Sequence, residues 1–117
     1  MRVTSDIYAR ALMRRAQNAG AFAALLRRGA AEAGVIHVLV DDLDGNLALY
    51  GPSMAWRERE QAGLDDRRFA RVMETRDRGE VDARLAREAS FDPDFWVIEV
   101  EDREGRSFID PDALVEE

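Results

Sequence analysis

The sequence contains no cysteine and no lysine, and each absence excludes a class of chemistry. Without cysteine there can be no disulfide, no thiolate metal site and no cysteine nucleophile. Because all 17 basic residues are arginine, Schiff-base catalysis and a phosphate-loop lysine are excluded as well. The chain also has no apolar run long enough for a signal peptide or a membrane span. We therefore expect a cytoplasmic protein with no membrane partner.

Basic residues are outnumbered by acidic ones, 17 to 24, which leaves a net charge of -7. Proteins that bind nucleic acids draw much of their affinity from a basic surface that neutralises phosphates. We therefore expect no nucleic-acid partner, although a local group of arginines could still bind a small anion.

The length and composition predict one domain. A chain of 117 residues with 46% apolar residues can bury a core of its own. No internal repeat and no linker rich in proline, glycine or serine divides the sequence. We predict a single domain over residues 1–117, in which residues 110–117 form a frayed tail.

A helix, two strands and a hairpin are predicted in the first half of the chain. Ser5 is a suitable N-cap residue, apolar residues recur at helical spacing over residues 7–19, and Gly20 ends the helix. A buried strand follows over residues 21–28, and an almost purely β-branched strand over residues 35–40.

Asp44-Gly45 indicates a two-residue hairpin turn between residues 35–40 and a strand over residues 47–50. With these two residues as the turn, Leu39 lies opposite Tyr50, and His37 shares their face of the sheet. The other face then carries Val38, Val40, Leu47 and Leu49.

The second half of the chain is predicted to contain a loop over residues 51–66, with one helical turn as an alternative within it. A helix over residues 79–89 and a strand over residues 95–101 follow. The pattern of residues 67–75 fits a helix and an edge strand, and both alternatives stay open. The fold class predicted from this order is α+β: a four- to five-stranded, mostly antiparallel sheet packed by two or three helices.

Two arginine pairs are candidate contacts for an anion or a partner. Arg14 and Arg15 lie near the end of the first helix, and Arg27 and Arg28 lie at the end of the first strand. Guanidinium groups favour phosphate and carboxylate partners, so convergence of the two pairs would create a binding site. The simpler alternative is pairing with the surplus acids of the same chain.

Other polar groups give weaker indications, and we nominate no catalytic residue. His37 is the single histidine, and its place in the most apolar strand is more typical of a packed residue than of a catalyst. The acids of residues 42–46 fit a hairpin better than a calcium loop. Two further acid pairs are more typical of a solvated surface than of acid–base work: Asp92 with Asp94, and Glu99 with Glu101. We expect no metal and no cofactor.

Five segments are distinctive: Thr4-Ser5-Asp6, Leu12-Met13-Arg14-Arg15, Gly20-Ala21-Phe22-Ala23, Leu26-Arg27-Arg28-Gly29, and the run from Phe91 to Asp102. They span nearly the whole chain, and together they resemble an alphaproteobacterial family that carries only the label domain of unknown function 1491. Phe95 stands where that family usually has leucine or a similar residue. The resemblance implies a bacterial cytoplasmic protein and brings no activity, cofactor or site.

The second sheet face motivates the main functional hypothesis. The apolar stripes of the two predicted helices can cover little more than one face of the sheet. The other face offers a candidate interaction surface of His37, Tyr50, Trp56 and Phe95, unless residues 56–73 fold over it. Because monomers rarely expose a large apolar patch, we predict a binding module or a homodimer through this face. The alternative is a small enzyme or metabolite-binding protein that holds an anion with the four arginines.

Overall fold

The computed structural model of the chain describes residues 3–54 and 67–116. Its helices and strands, in chain order, are α1 (Ser5–Asn18), β1 (Phe22–Arg27), β2 (Ile36–Asp41), β3 (Leu47–Pro52), β4 (Phe69–Thr75), α2 (Arg78–Phe91), β5 (Trp96–Glu101) and a 3-10 turn (Pro111–Ala113). Neither described helix is long and apolar enough to cross a membrane.

The five strands form one sheet in the order β1-β5-β2-β3-β4. Only β2 and β5 run parallel, and the other three pairs are antiparallel. The predicted α+β domain with a mostly antiparallel sheet is therefore confirmed. Residues 67–75, which the sequence left open, supply the edge strand β4.

Helix α1 begins at Ser5 and covers one face of the sheet, here called the first face. Thr4, rather than the predicted Ser5, is the N-cap residue. The Ser5 hydroxyl instead donates to the Gly34 carbonyl at 2.6 Å, which ties the helix to the loop before β2. Gly20 ends the helical segment with a φ of 88°, a conformation that glycine adopts without strain.

Both faces of the sheet carry a core cluster. On the first face, α1 belongs to a cluster whose buried strand residues come from β1, β2, β4 and β5: the buried residues of the cluster are Ala9, Leu12, Ala16, Ala23, Ile36, Val38, Val40, Phe69, Trp96, Ile98, Val100 and Ile109. On the second face, α2 covers a smaller cluster: Leu39, Leu47, Leu49 and Val81. The two α-helices of the described residues thus lie on opposite faces, so each face is covered by one of them.

The register of the β2–β3 hairpin differs from the prediction by one residue. Leu39 lies opposite Leu49, and Val38 lies opposite Tyr50. Because side chains alternate between the faces of a strand, this slip moves Tyr50 onto the first face. The predicted grouping of Tyr50 with His37 is therefore wrong.

A loop wider than two residues causes the slip. The Asp42 N–H donates to the Asn46 carbonyl at 3.1 Å, and the chain turns over residues 43–45. Leu43 adopts a φ of 64° and Gly45 a φ of 94°. The carboxylates of Asp41 and Asp42 each accept a backbone N–H within the loop, from Leu43 and Asp44 respectively, both at 2.8 Å. These hydrogen bonds stabilise the wider loop.

The chain's last described residues contact the outer edge of β4. Leu114 forms a parallel bridge with Phe69, and the Val115 N–H donates to the Phe69 carbonyl at 2.8 Å. The fraying predicted for residues 110–117 stays a prediction, and it would have to break these two contacts.

Candidate functional site

A groove crosses the first face over β3 and β4, beside the cluster that α1 covers. One part has a cavity volume of about 400 Å³ and the other a volume of about 580 Å³. Both parts are lined by Tyr50 and Arg71, so they adjoin at these two side chains. We call this surface the β3–β4 groove, and its lining residues are Val40, Asp42, Asn46, Leu47, Ala48, Tyr50, Arg71, Glu74, Thr75, Arg76, Gly105, Leu114, Val115 and Glu116.

Tyr50 and Arg71 form the middle of the groove floor. They are opposite residues of β3 and β4, so both side chains lie on the first face. Tyr50 is half-buried, whereas Arg71 is exposed and its guanidinium donates to the Glu74 carboxylate at 2.7 Å. Because this ion pair is exposed to water, it is weak, and an incoming carboxylate can compete for Arg71.

The hairpin loop closes one end of the groove. The Asn46 side chain donates to Asp42 at 2.6 Å, and this bond, with those from the Asp44 and Asn46 N–H groups, holds the pKa of Asp42 below its usual range. Arg76 donates to the Asn46 side-chain oxygen at 2.7 Å and to the Asp44 carbonyl at 3.3 Å. The end of β4 is thereby fastened to the hairpin loop.

The loop after β5 forms a side wall. Asp102 accepts three hydrogen bonds of 2.9 Å from Arg106, one from its backbone N–H and two from its guanidinium. These bonds lower the pKa of Asp102, although its burial acts in the opposite direction. The closed turn holds Gly105 against the groove and directs the chain on to Phe108 and Ile109.

The four arginines nominated from the sequence do not form one site. Arg15 donates to the Phe108 carbonyl at 2.8 Å, and Arg27 donates to the Pro93 carbonyl at 2.7 Å while lying 4.4 Å from the centre of the Phe95 ring. Arg28 lies 5.1 Å from the Trp96 ring, beside the first turns of α1. Arg14 is exposed near the opposite end of that helix.

The nominated interaction face is not assembled either. His37 and Phe95 are only 3% and 2% exposed, and their rings contact each other edge to face with centres 5.2 Å apart. Tyr50 lies on the opposite face of the sheet, in the β3–β4 groove. Trp56 lies outside the described residues. In this structure His37 and Phe95 therefore offer no surface to a partner.

The remaining polar candidates have structural partners. Glu99 accepts two hydrogen bonds from Arg78, at 3.1 and 2.7 Å. The Asp92 carboxylate accepts the Asp94 N–H at 3.0 Å. Within the described ranges, no three His, Asp or Glu side chains are placed to hold a metal ion.

The family model described as "Protein of unknown function (DUF1491)" matches residues 3–110. The chain belongs to the DUF1491 family. The resemblance noted in the sequence is therefore confirmed, and the family description assigns no function. No curated protein is significantly similar to the chain.

Solved structures of DUF1491 relatives share the fold over almost the whole chain. A crystal structure of a family member from Caulobacter crescentus is 34% identical, with a TM-score of 0.79, and covers 98% of this chain and 99% of its own. The solution structure of protein Atu0922 from A. tumefaciens is 36% identical, with a TM-score of 0.83, over 100% of this chain and 98% of its own.

Sequence reasoning found Tyr50 but missed Arg71, Arg76 and the C-terminal wall of the groove. Arg71 lies within residues 67–75, whose pattern fits both a helix and an edge strand, and Arg76 follows directly. The face of the sheet on which they lie could therefore not be assigned from the sequence. Alternation of Phe69 with Arg71 was the available signal, since both point to the first face in β4.

Proposed function

We propose that this DUF1491 protein is a cytoplasmic interaction module that binds an extended peptide segment of a partner protein in the β3–β4 groove. The observation that carries the proposal is the groove itself, an uncovered concave strip on a sheet face whose other part is covered by α1. Its floor combines the Tyr50 ring with the Arg71 cation, and aromatic and arginine side chains are typical anchors of protein interfaces.

The edge of β4 supports an extended occupant. Leu114 and Val115 already meet this edge in extended conformation at Phe69. A partner segment that continues along the rest of β4 would use the same backbone hydrogen bonding, which is the basis of strand addition. An acidic side chain of the segment would pair with Arg71 in place of Glu74.

The rival hypothesis, an enzyme or metabolite-binding protein that holds an anion with four arginines, loses its main support. Arg15 and Arg27 donate to backbone carbonyls, and the Arg14–Arg15 and Arg27–Arg28 pairs contact different segments of the chain. A site that depends on their convergence is not formed.

The test is affinity capture from extracts of the native bacterium with tagged wild-type protein and the variants Tyr50→Ala and Arg71→Ala. Arg84→Ala is the matched control, because Arg84 also belongs to a surface ion pair, at 3.5 Å from Glu88, but lies on α2 across the sheet. We expect one set of proteins to be retained by the wild type and the control and lost by both groove variants. Equal retention by all four proteins would overturn the proposal.

A further inference from the structure

The sheet has two edges, and they differ in how they are protected. Strand β4 carries the exposed, charged Arg71 and Glu74, has an irregular register beside Tyr50, and is bridged by Leu114. Charges, irregularities and covering segments are the devices by which native sheets block edge-to-edge pairing. The β4 edge therefore has protection of the usual kind.

The β1 edge has less of this protection, because its one irregularity, between Leu25 and Arg27, lies at the end of the strand. From Phe22 to Leu26 the strand contains no charged residue and no proline. The side chains of Phe22 and Leu26 are 59% and 52% exposed. Among residues 3–54 and 67–116, β1 pairs with β5 alone, so its outer backbone groups face away from the sheet. An uncharged edge of this kind is a template for another strand.

We propose that β1 pairs antiparallel with β1 of a second copy of this chain, which joins the two five-stranded sheets into one. This inference is independent of the β3–β4 groove, which lies at the other end of the sheet.

The register follows from the faces of the side chains. In a continuous sheet related by a two-fold axis perpendicular to it, opposite residues must lie on the same face. A pairing centred on Ala24 meets this condition, because it places Ala23 opposite Leu25 of the second copy, and both residues pack on the first face. The same pairing brings Phe22 beside Leu26 of the second copy, where the β1 irregularity begins, so the two exposed side chains cover each other.

The charges at the ends of β1 favour the same arrangement. An antiparallel pairing brings Arg28 of one copy, which lies over Trp96 on the first face, toward residues 19–21 of the other copy, where α1 ends on the same face. The C-terminus of a helix carries partial negative charge, so cations there are favourable. No charged residue of β1 lies opposite a like charge, because Phe22 to Leu26 are neutral. The residues at and beside the proposed contact therefore do not oppose the pairing.

The test is sedimentation equilibrium of the full chain with Phe22→Lys and Leu26→Lys. Lysine at position 22 lies opposite Glu101, which favours folding of the monomer, while it places a charge at the proposed contact. Ile7→Lys is the matched control, because Ile7 is 51% exposed but lies on α1. Far-ultraviolet circular dichroism verifies that all variants fold.

At about 200 mM sodium chloride, where charge repulsion between copies is screened, we expect the wild type and Ile7→Lys to dimerise with similar constants. We expect each β1 variant to weaken the dimer at least about tenfold, since the symmetric contact is lost twice. A sample mixed from isotope-labelled and unlabelled wild type should show contacts between the Phe22 ring and Leu26 methyl groups of different copies. A wild type that is monomeric at millimolar concentration, or a dimer unaffected by both β1 variants, would overturn the proposal. The proposal would also be overturned if the wild type stayed monomeric and bound a different protein, and if Phe22→Lys abolished that binding.

Discussion

Asp102 illustrates how one side chain holds a wall of the groove in place. Its carboxylate accepts three hydrogen bonds from Arg106, and these lower its pKa in the folded protein. A lowered folded-state pKa means that the ionised carboxylate stabilises the fold above the unfolded-state value of about 3.9. This contribution is lost as the pH falls through the lower folded-state pKa.

We therefore predict that Asp102→Asn lowers the free energy of unfolding at pH 7 by about 1 to 2 kcal/mol. The difference between variant and wild type should shrink as the pH falls from about 4 through the lower folded-state pKa, because Asp102 is protonated first in the unfolded wild type and then in the folded one. Urea unfolding across this pH range measures both effects. Asp112→Asn, at an exposed position of the 3-10 turn, is the control and should stay within about 0.5 kcal/mol of the wild type. A constant difference at all pH values would contradict the assignment.

Gly29 is required for a different reason, the close approach of two backbones. A Cβ atom at this position would lie 2.6 Å from the Phe95 carbonyl carbon and 2.8 Å from the Asp94 carbonyl oxygen. Because neither backbone atom can move like a flexible side chain, we predict that Gly29→Ala destabilises the protein by about 1 to 3 kcal/mol in urea unfolding. Ala31→Gly, an exposed change in the same loop, should cost less than about 1 kcal/mol. Equal destabilisation by Gly29→Ala and Ala31→Gly would show that the loop can move away from β5 without loss of stability.

At the scale of elements, the two helices are held with different strength. Helix α1 buries Ser5, Ala9, Leu12 and Ala16, whereas α2 fully buries only Val81. The cap of α2 therefore matters more to its formation than the cap of α1, whose Thr4 makes no side-chain capping bond.

We predict that Asp77→Ala opens the first turn of α2. The Asp77 carboxylate accepts the Gly79 N–H at 2.9 Å, and loss of such a cap costs about 1 kcal/mol. Amide hydrogen exchange should accelerate over residues 78–82 and remain unchanged in α1. Asp82→Ala removes an exposed acid within the same helix without touching the cap, and alanine favours the helix. Faster exchange in both variants would mean that charge, not the cap, stabilises this turn.

The comparison of sequence and structure is most instructive at the hairpin. The strands on either side of the turn were predictable, because β-branched and apolar runs have few other stable arrangements. The register was not, because Asp44-Gly45 also fits a wider loop once the side chains of Asp41 and Asp42 bind its N–H groups. Those bonds compensate the cost of the positive φ at Leu43. This one-residue difference in the β2–β3 register places Tyr50 on the first face, in the groove.

The groove itself was beyond sequence reasoning for a related reason. Its floor depends on the face of Arg71, and the register of β4 shifts between the partners of Leu49 and Tyr50, so simple alternation does not run through this strand. Its walls come from residues distant in sequence, Gly105 and Leu114, whose placement depends on tertiary contacts. The prediction from the arginine pairs failed for the same reason, since Arg15 and Arg27 donate to the carbonyls of Phe108 and Pro93, which are distant in the sequence.

For the whole molecule, charge sets the conditions under which two copies meet. Each chain has a net charge of -7, so two copies repel each other at long range. The proposed β1 contact is made by uncharged residues, and salt screens the repulsion without weakening apolar contacts or backbone hydrogen bonds between strands.

We therefore predict that dimerisation strengthens when sodium chloride is raised from about 20 to about 200 mM, over which the screening length falls from about 20 Å to below 10 Å. Sedimentation equilibrium at several salt concentrations measures the change, with Ile7→Lys as a control that lowers the repulsion by one positive charge per copy. That variant should dimerise more tightly than the wild type at low salt and equally at high salt. A dimer that dissociates as salt is added would instead mean that ion pairs between copies, and not the neutral β1 edge, hold the two chains together.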